Sequence, residues 1–124
     1  MLFYTIKTGT LYKDEEFWGS GYSGAGLVYS SGRNNENMVS VPNKGPIPPG
    51  IYKIEKPAYH HPVEGPCVMN LIPQPGTNTY GRSAFHIHGN DALNNASHGC
   101  IILGPAIRHE IENSTEDFLT VKAE

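Results

Sequence analysis

Fourteen glycines and ten prolines fall within the first 105 of 124 residues, so no stretch before the C-terminal nineteen runs far without a residue that breaks regular structure. Such punctuation cuts the chain into short segments and disfavours a helical bundle. The segments between breaks are rich in β-branched and aromatic residues and read as strands. Residues 2–8 make the first, Leu11-Tyr12-Lys13 begins the second, and Phe17 to Tyr22 the third, in an N-terminal meander. Further strands are expected at Leu27-Val28-Tyr29, Ile51 to Glu55, Cys67 to Ile72, Phe85 to His88 and Phe118 to Val121. In the fourth of these segments from the end, Ile51 and Lys53 share one face, and Tyr52 and Ile54 the other. One short helix is expected near residues 105–113, with Pro105 at its first position and Ile107 and Ile111 on one apolar edge. The expectation is a mainly β, single domain over residues 1–124, built of β-sandwich or barrel-like sheets.

The net charge of −3 argues against nucleic acid or an anionic membrane as the main partner, because both call for a basic face. No apolar run approaches the length of a membrane span. The start, Met1-Leu2-Phe3-Tyr4-Thr5-Ile6-Lys7, has no basic segment followed by an apolar one, so it reads as a strand rather than a secretory signal. Two cysteines are too few for a disulfide framework, and a Cys67–Cys100 bridge would silence the more interesting thiol. Cys67 reads as a small core hydrophobe, and the adjacent His60 and His61 as solvated loop residues.

Chemistry concentrates in Phe85-His86-Ile87-His88-Gly89-Asn90 and in Ser97-His98-Gly99-Cys100-Ile101. Three of the six histidines and one of the two cysteines fall within this stretch. A thiolate, not a thiol, attacks carbonyl carbon, so a nucleophilic cysteine calls for a nearby base or cation that lowers its pKa. Strand alternation puts His86 and His88 on one face, as candidate bases, and packs Phe85 and Ile87 on the other. Gly99 and Cys100 offer backbone N–H groups to a developing oxyanion. Arg33 and Arg82 are candidates for binding substrate carboxylates.

Taken together, Ile87-His88-Gly89 and Ser97-His98-Gly99-Cys100-Ile101 resemble the signature of the L,D-transpeptidase (YkuD-like) catalytic domain. Gly21-Tyr22-Ser23-Gly24, Gly32-Arg33-Asn34-Asn35, Gly45-Pro46-Ile47-Pro48, Gly81-Arg82-Ser83 and Gly99-Cys100-Ile101-Ile102-Leu103 extend the likeness. They resemble the L,D-transpeptidase-like toxins delivered by bacterial type VI secretion systems. The resemblance implies a peptidoglycan stem tetrapeptide as substrate, Cys100 as nucleophile and His88 as base. It also implies that His98 and Gly99 complete the catalytic set, and that Ser97, His86, Arg82 and Arg33 shape or bind substrate. The thioester would pass to water (L,D-carboxypeptidase), to a free D-amino acid (exchange) or to another stem's amine (cross-link), with no metal or cofactor. The resemblance further implies synthesis in the cytoplasm, delivery by a type VI apparatus, action in the periplasm of a target cell, and a periplasmic immunity protein as partner.

Two features depart from that pattern. Only eight residues separate His88 from Ser97, a short spacer that favours hydrolysis or exchange over cross-linking. The arginine that often follows the Cys-Ile pair is Ile102 here, so its role either passes to another residue, Arg82 or Arg108, or is missing. Two readings from other classes stand beside the enzyme. One is a non-catalytic peptidoglycan-binding module with an inert Cys100. The other is a zinc-dependent hydrolase with His86, His88, His98 and Cys100 as ligands.

Overall fold

In the computed structural model, which describes residues 1–124, ten strands form a nearly closed, barrel-like sheet with one short helix. The strands are β1 (Leu2–Thr5), β2 (Thr10–Lys13), β3 (Glu16–Ser20), β4 (Tyr22–Ser23) and β5 (Gly50–Ile54). They continue with β6 (Tyr59–His61), β7 (Gly65–Pro73), β8 (Phe85–His88), β9 (Ile101–Ile102) and β10 (Phe118–Lys122). The helix α1 spans Pro105–Asn113. The spatial order is β3-β2-β1-β10-β5-β7-β8-β9-β4, with β6 pairing on β7 away from this path.

The two ends of that order, β3 and β4, are joined in the chain by Gly21 alone. A sheet whose edges are so tethered has to curl round, and Gly21 is where it comes together. Its N–H donates to the Gly9 carbonyl at 2.8 Å. A Cβ at Gly21 would lie 1.7 Å from the Ile102 carbonyl oxygen, so only glycine fits between β4 and the turn after β9. The core fills the inside of the curl, with Leu2, Tyr4, Tyr52, Ile54, Met69, Ile87, Ile101 and Leu119 among its members. Tyr52 and Ile54 face inward and Ile51 and Lys53 outward, as alternation requires. The chain termini lie in the middle of the sheet, where β1 and β10 pair in parallel, Leu2 opposite Leu119 and Tyr4 opposite Val121. From α1, Ile111 enters the core and Ile107 packs against it.

Several expectations are corrected. The first strand stops at Thr5, because Gly9 turns back with φ +66° and its N–H returns to the Thr5 carbonyl at 2.9 Å. Leu27-Val28-Tyr29 is not a strand. Leu27 and Val28 are exposed and Tyr29 opens a 3₁₀ turn, in a segment bent by positive-φ glycines at 24, 26 and 32. His60 and His61 belong to β6 rather than to a loop, and His61 is half-buried. Cys67 is not a core residue. It sits half-buried in β7 with φ +58°, its Sγ 4.0 Å from His109 Nδ1.

Gly21→Ala is expected to lower the thermal midpoint, at a cost of about 1–3 kcal/mol from overpacking against the Ile102 carbonyl. Calorimetric melts beside unmutated protein measure it, and an unchanged midpoint would mean that the sheet closes elsewhere.

Candidate active site

The parallel pairing of β8 with β9 sets Ile87 opposite Ile101 and His88 opposite Ile102. Cys100, one residue before Ile101, therefore arrives beside the polar face of β8. His88 Nδ1 lies 2.9 Å from the Gly89 carbonyl, which can only accept, so Nδ1 carries the proton and Nε2 is the free basic nitrogen. A His88 ring nitrogen, Cys100 Sγ and a Glu64 carboxylate oxygen lie within 4.8 Å of one another. Glu64 also reaches His86, with Oε1 2.8 Å from Nδ1, while its Oε2 is 3.9 Å from His88 Nε2. Both β8 histidines thus converge on one acid from the strand face that they share.

Electrostatics at this cluster differ from expectation. Burial pushes the Cys100 thiol up to about 12; the His86 backbone N–H opposes that, Glu64 adds to it and Arg82 opposes it weakly. Burial also holds the His88 imidazole below its ordinary value, against a raising influence from Glu64. Free of substrate, the pair is thiol and neutral imidazole, not thiolate and imidazolium. A lowered cysteine pKa, expected from the sequence, is corrected: the sulfur lies too deep for its charge to be solvated, being only 8% exposed.

The loop that carries Cys100 is held by hydroxyls. Ser97 is fully buried; its Oγ accepts from Gly24 N–H at 3.0 Å and Gly99 N–H at 3.2 Å, and donates to the Cys100 carbonyl at 2.6 Å. Ser23 Oγ accepts from Ile47 N–H at 2.9 Å and approaches the Gly99 carbonyl at 3.5 Å. Ser97 is thereby a positioning residue rather than one that meets substrate. Gly99 does not have its N–H free for an oxyanion, whereas the Cys100 N–H has no acceptor in the protein. The need for glycine at 99 is conformational, with φ +131°, and steric, since a Cβ would meet Arg82 Nη2 at 2.4 Å.

With this geometry in view, the sequence also matches the Tlde1 domain family over residues 19–122. The chain belongs to the Tlde1 domain family. That is a family of type VI secretion effectors of the L,D-transpeptidase type. No curated protein and no solved structure matches the chain.

In this Tlde1 domain, two arginines assigned to substrate have other work. Arg82 Nη1 donates to the Val39 and Pro46 carbonyls at 2.6 and 2.7 Å, and Nη2 to those of Gly45 and His98 at 2.9 and 3.4 Å. Arg33 stacks on the Tyr22 ring at 3.6 Å and donates to the Gly26 and Asn94 carbonyls. Both guanidiniums tie loops together. Carbonyls occupy both Nη groups of Arg82 and the Nε and Nη2 of Arg33, so neither presents a whole fork to a carboxylate. His98 is exposed, with Nδ1 3.3 Å from the Asn43 carbonyl, and stands outside the His88–Cys100–Glu64 cluster.

The four-ligand zinc set expected from His86, His88, His98 and Cys100 is therefore not assembled. The groups close enough to hold a metal are Glu64, His88 and Cys100; His61, Glu64 and His86; and, on the far side of β7, Cys67, His109 and Glu112. His61 Nδ1 already accepts from the N–H groups of Val63 and Glu64, at 3.1 and 3.0 Å, which removes that nitrogen as a ligand. Glu64 is the residue that sequence reasoning missed. It is an isolated acid in a Pro/Gly turn after β6, and only the pairing of β6 and β8 on either side of β7 carries it to the histidines.

Two substitutions test this arrangement. In a Cys67→Ser background, alkylation of Cys100 by iodoacetamide at pH 7 is expected to be slow. Glu64→Gln should speed it, because removing the anion lowers the Cys100 pKa. A rate equal to that of a free thiol in the unmutated site would contradict a buried, protonated Cys100. Ser97→Ala leaves two N–H donors without their acceptor and should cost about 1–3 kcal/mol in denaturant unfolding.

Proposed function

We propose that this Tlde1 domain is a peptidoglycan-modifying cysteine enzyme that cleaves the L–D bond of stem tetrapeptides through a Cys100 thioester. The observation that carries the reading is the tautomer of His88: Nδ1–H on the Gly89 carbonyl leaves Nε2 basic within the Cys100–Glu64 cluster. In this reading His88 Nε2 takes the Cys100 proton as sulfur attacks the carbonyl on the L-centre of the third stem residue. The Cys100 N–H supports the oxyanion. As the C–N bond breaks, the imidazolium returns its proton to the departing D-alanine amine. Water then hydrolyses the thioester, or a D-amino acid amine takes the acyl group, with His88 again as base.

Glu64 serves this cycle by stabilising the imidazolium, since its charge raises the His88 pKa that burial depresses. A thiol with a pKa near 12 does not wait as a thiolate; it is deprotonated as it attacks, which makes the base indispensable. The short His88–Ser97 spacer is tied down by the Tyr22 hydroxyl, which donates to Asn90 Oδ1 at 2.6 Å and accepts from Ala96 N–H at 2.8 Å. A fixed, compact acceptor side suits water or a free D-amino acid better than a second stem peptide. Family membership supports delivery by a type VI apparatus and action in a target periplasm, and a periplasmic immunity protein as partner is part of the same proposal.

The binding-module reading draws on one observation, the burial of an un-ionised Cys100. The zinc reading draws on another, the closeness of Glu64, His88 and Cys100. Mass spectrometry of disaccharide-tetrapeptide incubated with the protein, with and without D-methionine, separates all three. Loss of D-alanine, or its replacement by D-methionine, is expected with unmutated protein and absent with Cys100→Ala. His88→Ala should lose about 10²–10⁴-fold in rate and His86→Ala far less. Activity should survive exhaustive chelation. An intact tetrapeptide from folded protein favours the module, and chelator-sensitive hydrolysis favours the metal.

The pH profile carries a sign. His88 acts only when neutral and its pKa lies below the ordinary imidazole value, so kcat/KM should fall only as pH drops below about 6.5. Glu64→Gln removes a raising influence and should move that acid limb to lower pH. A limb shifted upward would mean that Glu64 does not act on His88 as an anion.

A further inference from the structure

Next to the candidate catalytic cluster lies a cavity of about 430 Å³, whose lining includes Tyr22, Glu64, Gly89, Asn90 and Arg108. Arg108 comes from α1 and is only 6% exposed. One edge of its guanidinium is anchored, with Nη1 donating to the Pro66 and Cys67 carbonyls at 2.8 and 3.2 Å. The other edge is not. Nε is buried without an acceptor. Nη2 has none either, and lies 2.9 Å from where a Cβ of Gly89 would stand. No carboxylate pairs with Arg108, although a guanidinium stays charged in proteins. A buried cation with unused donors is costly unless something accepts from them.

The unused edge has a definite chemistry. Nε–H and Nη2–H are parallel, the fork that takes a carboxylate side-on in two hydrogen bonds. With no Cβ at Gly89, the guanidinium packs against the backbone directly after the base His88, Nη2 nearest, and Gly89 and Arg108 both line the cavity. Arg82 and Arg33 differ in this respect: carbonyls already occupy Nη2 of Arg82 and both Nε and Nη2 of Arg33. We infer that Arg108 is the specificity residue that seats the free C-terminal carboxylate of the peptide substrate.

The assignment rests on the peptidase reading above and deepens it. If His88 returns a proton to the departing amine, the leaving residue's carboxylate lies two bonds beyond that nitrogen. It must sit close to His88, and the Arg108 charge is near enough to act on His88. Glu64, tied to His86 at 2.8 Å, lines the same cavity and joins it to the candidate catalytic cluster. The arrangement selects an exo-acting substrate, one that ends at the residue being removed, and rejects a peptide continued or amidated there.

The test uses Cys100→Ala protein, which cannot turn over, titrated calorimetrically with disaccharide-tetrapeptide and with its C-terminal amide. The acid is expected to bind about ten- to a hundredfold more tightly than the amide, and Arg108→Gln should remove that preference while leaving amide affinity unchanged. Arg108→Lys, which keeps the charge but not the fork, should retain part of it and stands in if the glutamine variant melts early. Equal affinities for acid and amide with Arg108 present would overturn the inference, as would an Arg108→Gln loss that falls equally on both ligands. Carboxylate-dependent binding without D-alanine release by the Cys100 protein would keep the Arg108 site and remove the peptidase reading. D-alanine release without a carboxylate preference would do the reverse, and absence of tetrapeptide binding would remove both.

Discussion

The candidate site depends on the two-rung parallel ladder between β8 and β9. It is short, yet it fixes which residue stands beside His88. Because Ile101 pairs with Ile87, both fully or nearly fully buried, a one-residue slip would turn one isoleucine or the other away from the face they share. The Leu103 N–H adds a bond to the His88 carbonyl at 3.1 Å. Hydrophobic register thus holds a polar pair in place, and the curl of the sheet through Gly21 brings β4 against the outer side of β9 to keep it there.

Around this ladder the polar residues divide by whether their donors are already used. Ser97, Ser23, Tyr22, Arg82 and Arg33 hold the loops that meet at Cys100, and their hydrogen bonds are largely complete. Completion is what makes them structural, since a buried group with all partners in place gains nothing by turning to a ligand. Arg108 is the exception among the arginines, anchored through Nη1 while its buried Nε has no acceptor. The residues that look most like substrate ligands by charge alone are therefore the least available, and the one on the helix is the most.

Part of the fold was legible in local pattern. The alternation of Ile51 to Ile54, the paired histidines of β8 and Pro105 at the start of α1 each follow from a period or a backbone constraint that acts over a few residues. Leu27-Val28-Tyr29 misled because a strand needs a partner as well as propensity, and nothing in the triplet says that glycines on either side turn it away. Likewise the thiol of Cys100 was expected to be acidic from its histidine neighbours, but burial outweighs them, and burial is set by elements far away in sequence.

The sequence by itself determined a β-rich chain, the identity of the cysteine and histidines in the candidate site, and the shared strand face of His86 and His88, because these rest on residue type and on a two-residue period. Tertiary structure alone decided that Glu64 joins them, that His98 does not, and that Arg82 and Arg33 bind carbonyls while Arg108 keeps a free edge. Those outcomes depend on which chain segments the curled sheet brings into contact, and hydrogen-bond satisfaction is a property of the contact, not of the residue.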